Sequence, residues 1–403
     1  METRSMTANQ TELRPSQAQE QFVRDHRIWV YYSLVALNCY VMSALGPVMP
    51  FLRSELNLNY QLAGLHFSSF AFGTVAAGLT GDYILSRLGR VKTLWLGVCG
   101  TILGVVCFIA GQHCAVTISG VLLCGLCTCL TYQTLATVIS DHLDHLRTFA
   151  FVEAEVAAML GAFIAPIAVS GFVSAKLGWR ASLVALILLL AVLIPSLGKF
   201  GTARQAAVSE SKSDGKLPKL FWNYALVIFL SVCAEWSVAF WSADYLHEML
   251  YITKAAAAAV VGAFFAGMVV GRMGGARLVR KYAPSTLLAI SGATSFVGFL
   301  MFWLGHLVVI NGLGLFLTGL GIANMYPLSF SAAVAASSKQ ASKAIAKVSL
   351  ACGTALLLAP MALSLVADHA GLFTAYSLIA VVLVLCAFSI FWANRTSKST
   401  TNS

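Results

Sequence analysis

The sequence predicts an all-α membrane protein, with twelve transmembrane helices in two pseudo-symmetric six-helix bundles. Three observations carry that expectation. First, 59% of the 403 residues are hydrophobic and only 10% are charged, against about 25% charged in an ordinary globular protein. The mean hydropathy is +0.81. Disorder, a collagen-like chain and a disulfide-stapled scaffold fit none of these values. Second, apolar runs of the roughly 20 residues needed to cross the hydrocarbon core recur along the whole chain. Third, the first six runs resemble the second six.

The runs are continuous rather than alternating, which favours helices over a barrel. Residues 1–28 are polar, lack the apolar core of a signal peptide, and are expected to form an N-terminal tail. The first bundle (29–198) follows, with spans at 29–50, 60–84, 93–112, 115–138, 149–174 and 180–198. A polar stretch at 199–220 reads as a flexible linker. The second bundle (221–393) places spans at 221–247, 255–276, 285–305, 308–335, 346–367 and 372–393, and 394–403 is a short tail.

Lys and Arg set the orientation. Of the 26, only Arg53, Lys176, Arg180 and Lys254 fall in loops on one side, and Arg272 lies inside a span. The remainder lie on the other side, which is therefore expected to be cytoplasmic, as are both termini. The net charge of +10 then reports topology, and nucleic acid is not an expected partner. The expected location is the cell membrane, inner or plasma, in a multi-pass chain functional as a monomer.

The internal repeat is legible in three places. With an offset of 193, Phe72, Gly78, Gly81, Leu85, Arg87, Thr93 and Leu94 meet Phe265, Gly271, Gly274, Leu278, Arg280, Thr286 and Leu287. With an offset of 194, Gly125, Leu126 and Tyr132 meet Gly319, Leu320 and Tyr326, and A-P-I-A-V-S at 165–170 meets A-P-M-A-L-S at 359–364. A parallel six-plus-six repeat is a transporter design.

The segment from Gly81 to Lys92, G-D-Y-I-L-S-R-L-G-R-V-K, is similar to the signature between helices 2 and 3 of the major facilitator superfamily. The resemblance covers all twelve spans. That family places Asp directly before the first Arg; here Ser86 stands in that position and Asp82 lies one turn earlier. The stretch E-W-S-V-A-F-W-S-A-D-Y-L in span 7 resembles a branch that includes proton-coupled sugar transporters.

Ionisable groups at mid-bilayer are costly, so the few present are the first candidates. Glu235, near the middle of span 7, reads as a proton-coupling or substrate-binding carboxylate, or else as a hydrogen-bonded packing group. The superfamily fold packs helix 5 of one half against helix 8 of the other. Glu153 and Glu155 are two residues apart and cannot both face that seam. Glu155–Arg272 is the expected inter-domain latch; the competing reading has Arg272 snorkelling toward headgroups. Asp82, Arg87 and Arg90 are gating candidates that also carry topology-setting charge. In the spans that line the path in this fold, Asn38, Tyr40, Tyr132, Gln133, Asn324 and Tyr326 either contact substrate or bond between helices. Trp241 offers an aromatic face to a solute or to the core.

Neither a phosphate-cradling loop nor a nucleophile elbow is present, so an ATP-driven pump and an enzyme are not expected, and no cofactor is. Cys124, Cys127 and Cys129 read as small buried residues within span 4, and His142 and His145 as a solvated loop rather than a metal site. The expected function is a secondary active transporter, a symporter moving a small organic solute with protons by alternating access. The alternatives are a proton-coupled exporter of drugs or metabolites, or a membrane solute sensor.

Overall fold

A computed structural model describes residues 24–143, 147–200, 217–337 and 340–401. It is all helical. Among the described residues, eleven helical segments are long and apolar enough to cross a membrane, the sixth only with its 3-10 continuation to Gly198. They are α1 (His26–Leu56), α2 (Tyr60–Leu88), α3 (Arg90–Ala110), α4 (Cys114–Leu143), α5 (Arg147–Ser174), α6 (Arg180–Leu193), α7 (Lys219–Leu250), α8 (Lys254–Leu278), α9 (Pro284–Leu304), α10 (Val308–Ala336) and α11 (Ala341–Thr401). The face where α1 begins is termed proximal below, and the opposite face distal.

Local chemistry explains the boundaries. Asp25 caps α1 by accepting from the Ile28 amide at 2.9 Å, and Asn59 caps α2 by accepting from Leu62. Both satisfy amides that have no partner within the first turn. Asn57, in left-handed conformation (φ 52°), ends α1 and sets the three-residue turn into α2. The α-helix expected over 180–198 stops at Leu193, and a 3-10 turn (Ile194–Phe200) containing Pro195 continues it. Proline has no amide hydrogen to extend the ladder.

The last element departs most from expectation. The spans placed at 346–367 and 372–393 join in one 61-residue run that continues through the expected tail to Thr401. A straight helix of that length would reach about 90 Å, three times the hydrocarbon thickness. Gly371 interrupts it with φ 82° and ψ 160°, a conformation open to glycine and strained for other residues. Two helical segments therefore meet there. Residues 201–216, most of the expected linker, lie outside the described residues, as do residues 1–23.

Packing is dense where glycine lets backbones touch, and the repeat reappears in these contacts. A Cβ on Gly125 of α4 would lie 2.0 Å from the Phe70 carbonyl oxygen of α2; one on Gly319 of α10 would lie 2.0 Å from that of Phe264 in α8. Gly73 abuts Leu122 and Leu126, and Gly267 abuts Phe316 and Leu320. Each pair of contacts is related by the same offset of 194 residues. Within the first six helices the closest packing joins α1 to α5, α2 to α4 and α3 to α4; in the rest it joins α7 to α11, α8 to α10 and α9 to α10. Contacts α1–α7, α2–α11 and α5–α8 connect the two sets.

Gly125→Val should therefore lower stability by about 1–3 kcal/mol, the usual cost of overpacking. Gly171→Ala, whose Cβ meets nothing within 4 Å, should leave stability unchanged or raise it. Thermal unfolding in detergent measures both. Equal melting temperatures for parent and Gly125→Val would contradict the close α2–α4 contact.

Candidate functional site

The seam between α1–α6 and α7–α11, called below the two halves of the chain, carries two polar assemblies at different depths. The one at mid-depth toward the proximal face is built on α5 and α8. Glu153 and Glu155 project from α5 in different directions, as a two-residue spacing on a helix requires. Glu153 stays within its own half: it pairs with Arg24 and accepts a hydrogen bond from the Tyr32 hydroxyl at 2.8 Å. Glu155 crosses the seam, and Arg272 Nη1 donates to its Oε2 at 2.6 Å. The Tyr132 hydroxyl approaches the other carboxylate oxygen at 3.4 Å.

Glu235 of α7 is half-buried and lies within electrostatic reach of both Arg272 and Glu155. Among the described residues it makes no direct ion pair. Tyr326 is within reach of the same three charges and stacks on Phe330, with ring centroids 5.8 Å apart. Five expected residues thus share one neighbourhood: Tyr132, Glu155 and Arg272 in contact, with Glu235 and Tyr326 nearby.

The other candidates are placed elsewhere. Asn38 donates from Nδ2 to the Thr128 carbonyl at 3.2 Å, joining α1 to α4. The Tyr40 hydroxyl donates to Ser182 O at 3.2 Å, joining α1 to α6. Asn324 donates to Gly271 O at 2.8 Å, tying α10 to α8. Gln133 packs against Gly81 of α2 and donates to Cys129 within its own helix. In each case a neighbouring carbonyl or sulfur answers the demand of a polar group in hydrocarbon. Asp82 and Arg87 are exposed at the proximal end of α2, Arg87 resting over the Tyr83 ring at 5.3 Å, and Arg90 is buried at the start of α3. Cys124 and Cys127 are buried in α4. The side chains of Asp141, His142 and His145 lie outside the described residues.

The second assembly seals the distal face, and it draws on residues not singled out from sequence. Arg53, at the end of α1, donates from Nη1 to Asp244 at 2.7 Å and to Glu248 at 3.1 Å, both on α7. Its guanidinium lies 3.8 Å from the centre of the Tyr60 ring, and the Tyr60 hydroxyl bonds to Glu248. The first amides of α2, Tyr60 and Gln61, donate to the two oxygens of Asp368 on α11, at 2.8 and 2.9 Å. A carboxylate from one half thus caps a helix of the other, where the helix dipole favours negative charge. Lys254 reaches Ser54 across the same rim.

An aromatic layer lies beneath. Phe67 of α2 and Phe240 of α7 stack with centroids 4.3 Å apart, and Trp241, fully buried, meets Phe67 edge-on at 5.2 Å. This placement is in the distal plug, away from the five-residue cluster. Gly46 of α1 presses on the Ala239 and Phe240 backbone, and Gly64 of α2 on Ser364 of α11. Ser68 then donates to Leu357 O at 2.8 Å, and Gly353 faces Val75. Beyond Val75, α2 turns exposed residues outward, among them Leu79 at 82% and Tyr83 at 64%. The same rule that selected Glu235 also applies to Asp244, an acid nine residues later in the same span.

Comparisons with known proteins agree with this architecture. The model of the Major Facilitator Superfamily matches residues 31–337. The uncharacterized transporter y4wD of Sinorhizobium fredii is 32% identical over 162 residues, covering 40% of this chain and 43% of that protein. Membrane protein MosC of Rhizobium meliloti is 28% identical over 43% of this chain and 44% of its own length. The matched stretch thus spans less than half of each of those two relatives. An uncharacterized MFS-type transporter of Yersinia pestis is 22% identical over 86% of this chain and 91% of its own. Among solved structures, a bacterial homologue of the human lysosomal transporter Spinster, inward-facing and unoccupied, superposes with TM-score 0.74 at 14% identity, over 93% of this chain and 97% of that one. A variant of the nucleoside transporter NupG gives TM-score 0.74 at 14% identity, over 91% and 99%. At these identities the likeness is one of fold.

Removing Arg53 would leave Asp244, 1% exposed, as a buried charge without its partner. Arg53→Ala should cost about 3 kcal/mol, and distinctly less in an Asp244→Asn background. A double-mutant cycle by thermal unfolding measures the coupling. Additive effects would show that the pair does not hold the distal rim.

Proposed function

The chain belongs to the Major Facilitator Superfamily, and from that premise we propose that it is a secondary active transporter, carrying a small organic solute together with protons by alternating access. The observation that carries this reading is the Glu155–Arg272 ion pair, which bridges the two halves beside Glu235.

In this reading the Gly371 break divides α11 into two spans, giving twelve in two six-helix bundles. The Lys and Arg distribution places the proximal face and both termini in the cytoplasm of a cell membrane, and the chain acts as a monomer. The distal seal, together with the exposed proximal end of α2, corresponds to an inward-facing state, the state named for the Spinster homologue.

The chemistry follows from charge and dielectric. A lone carboxylate at mid-depth is costly when ionised and far less so when protonated. Glu235 therefore loads and releases a proton as its surroundings change between the two faces. Arg272 and Glu155 are the charged groups within its reach. The latch responds to the same charges. While Glu155 holds Arg272, α5 and α8 stay together; when the pair parts, the halves can rock, and Tyr132 remains as an alternative partner for Glu155. Solute binds beside this cluster, with Tyr132 and Tyr326 supplying hydroxyls and ring faces.

Uptake into proteoliposomes should test this, with a panel of labelled sugars, organic acids and nucleosides under an imposed pH gradient. A solute should accumulate in the direction of proton flow. Glu235→Gln should retain downhill exchange but lose gradient-driven accumulation by at least about tenfold. Full accumulation by that variant would contradict the coupling role, and solute moving against proton flow would establish antiport instead. Separately, Arg272→Glu should abolish transport, and adding Glu155→Arg should restore part of it. No recovery in the double variant would remove the latch from the cycle.

A further inference from the structure

Behind the latch, on the side of α8 turned away from the seam, the structure holds an apolar cavity that the transport reading does not use. Its volume is about 230 Å³, and it lies between α8, α9 and α10. Gly271, Gly274 and Leu278 line it from α8, Leu287 and Ile290 from α9, and Leu320 from α10. Glycine creates the space. A Cβ on Gly274 would meet nothing within 4 Å, whereas one on neighbouring Gly271 would press on Leu320 and Ala323, and one on Gly321 would press on Ser295. The groove is pinched where Gly271 and Gly275 meet α10, widens at Gly274, and reaches through Leu278 the proximal end of α8.

That end of α8 is strongly basic. Arg277 lies in the last turn of α8, and Arg280 and Lys281 lie in the turn that follows; all three are exposed. Backbone bonds hold that turn against the helix end, with Lys281 and Tyr282 donating to Leu278 O at 2.9 Å. Arg277 follows Gly274 by three residues, the spacing that puts side chains on one helix face, and Arg280 and Lys281 lie in the turn just beyond the helix end. None of the three cations has an ion-pair partner among the described residues. The sequence accounts for this: between Glu248 and Asp368 there is not one acidic residue. Tyr282, 53% exposed, adds an amphipathic ring at the level where aromatic belts sit.

We propose that this groove and its basic rim bind one anionic phospholipid. An acyl chain fills the gap at Gly274, and the headgroup phosphate lies among Arg277, Arg280 and Lys281. A soluble anion would satisfy the rim and leave the apolar groove empty; a zwitterionic lipid would fill the groove and leave the cations uncompensated. Only a ligand with both parts matches the site, and basic pockets between membrane helices recognise such headgroups. Gly271 lines the groove and Arg272 follows it, so an occupied site braces the segment of α8 that carries the latch.

The test is native mass spectrometry of the full chain, delipidated and then exposed to mixed micelles holding equal phosphatidylglycerol and phosphatidylcholine. Phosphatidylglycerol should be retained preferentially, as a single adduct, with inorganic phosphate giving none. Each basic residue should contribute of order fivefold, so R277Q, R280Q and K281Q combined should abolish the preference. Gly274→Leu should reduce retention of phosphatidylglycerol at least about tenfold, with circular dichroism confirming the fold. Photo-crosslinking of phosphatidylglycerol in the unaltered protein should label α8–α10, a readout that needs no variant. Equal retention of the two lipids, a preference that survives the triple substitution, parental retention by Gly274→Leu, or crosslinks confined to other helices would each overturn the assignment. So would residues 201–216 of the chain itself being crosslinked into the groove.

Discussion

The guanidinium of Arg53 is held by two carboxylates of the opposite half, and the arrangement of the rest of the seam depends on that contact. An ionised group buried in the seam is costly unless a counter-charge lies beside it. Arg53 finds Asp244 and Glu248 on α7, Tyr60 covers it, and Asp368 caps the helix that brings Tyr60 there. The aromatic stack of Phe67, Phe240 and Trp241 then fills the space below. With the distal ends of α1, α2, α7 and α11 drawn together, the proximal half of α2 is left without the partner it has at Gly64 and Ser68.

Against that dense rim, the mid-depth contact is sparse: one ion pair, one long hydroxyl contact and a carboxylate without a direct partner. The contrast in density has a functional meaning. A seal must exclude water and solute, and it does so with packing, stacked rings and several charge-assisted bonds. In the proposed cycle a latch must cost little to open, and a single partly exposed ion pair contributes modestly to stability. The two assemblies therefore differ as a closed gate differs from a working part.

Much of this was legible in the sequence. Span positions follow from hydrocarbon thickness, which leaves little freedom in helix length. The offset of 194 residues emerged from a few glycines and an Ala-Pro pair, and the structure shows why such residues mark it: Gly125 and Gly319 sit where two backbones touch, a position no larger residue can occupy. The contact between Glu155 and Arg272 was legible because the family resemblance implied that helices 5 and 8 pack together, and helix geometry allows only one of two nearby acids to face that seam. For Asn38, Tyr40 and Asn324 the sequence left solute contact and a bond between helices as open alternatives, and each makes such a bond. In hydrocarbon a polar side chain needs a partner, and a neighbouring carbonyl meets that need as well as a solute does. Arg53 was hidden for a different reason. It reads as a loop residue until α1 is seen to continue to Leu56, which carries it onto α7. The final pair of spans appeared as two hydrophobic runs, yet their junction is a single glycine rather than a loop.

In the proposed cycle the distal seal and the proximal end of α2 move as two sides of one rigid rocking motion. Pulsed electron paramagnetic resonance on two spin-label pairs tests it most directly: Asn57 with Tyr251 across the distal face, and Leu88 with Tyr282 across the proximal face, all at exposed positions. In the parent background the distal distance should be short and narrowly distributed. Adding Arg53→Ala should lengthen the distal distance and, in the same sample, shorten the proximal one. A distal face that opens while the proximal distance stays fixed, or a seal that stays closed without Arg53, would contradict the account.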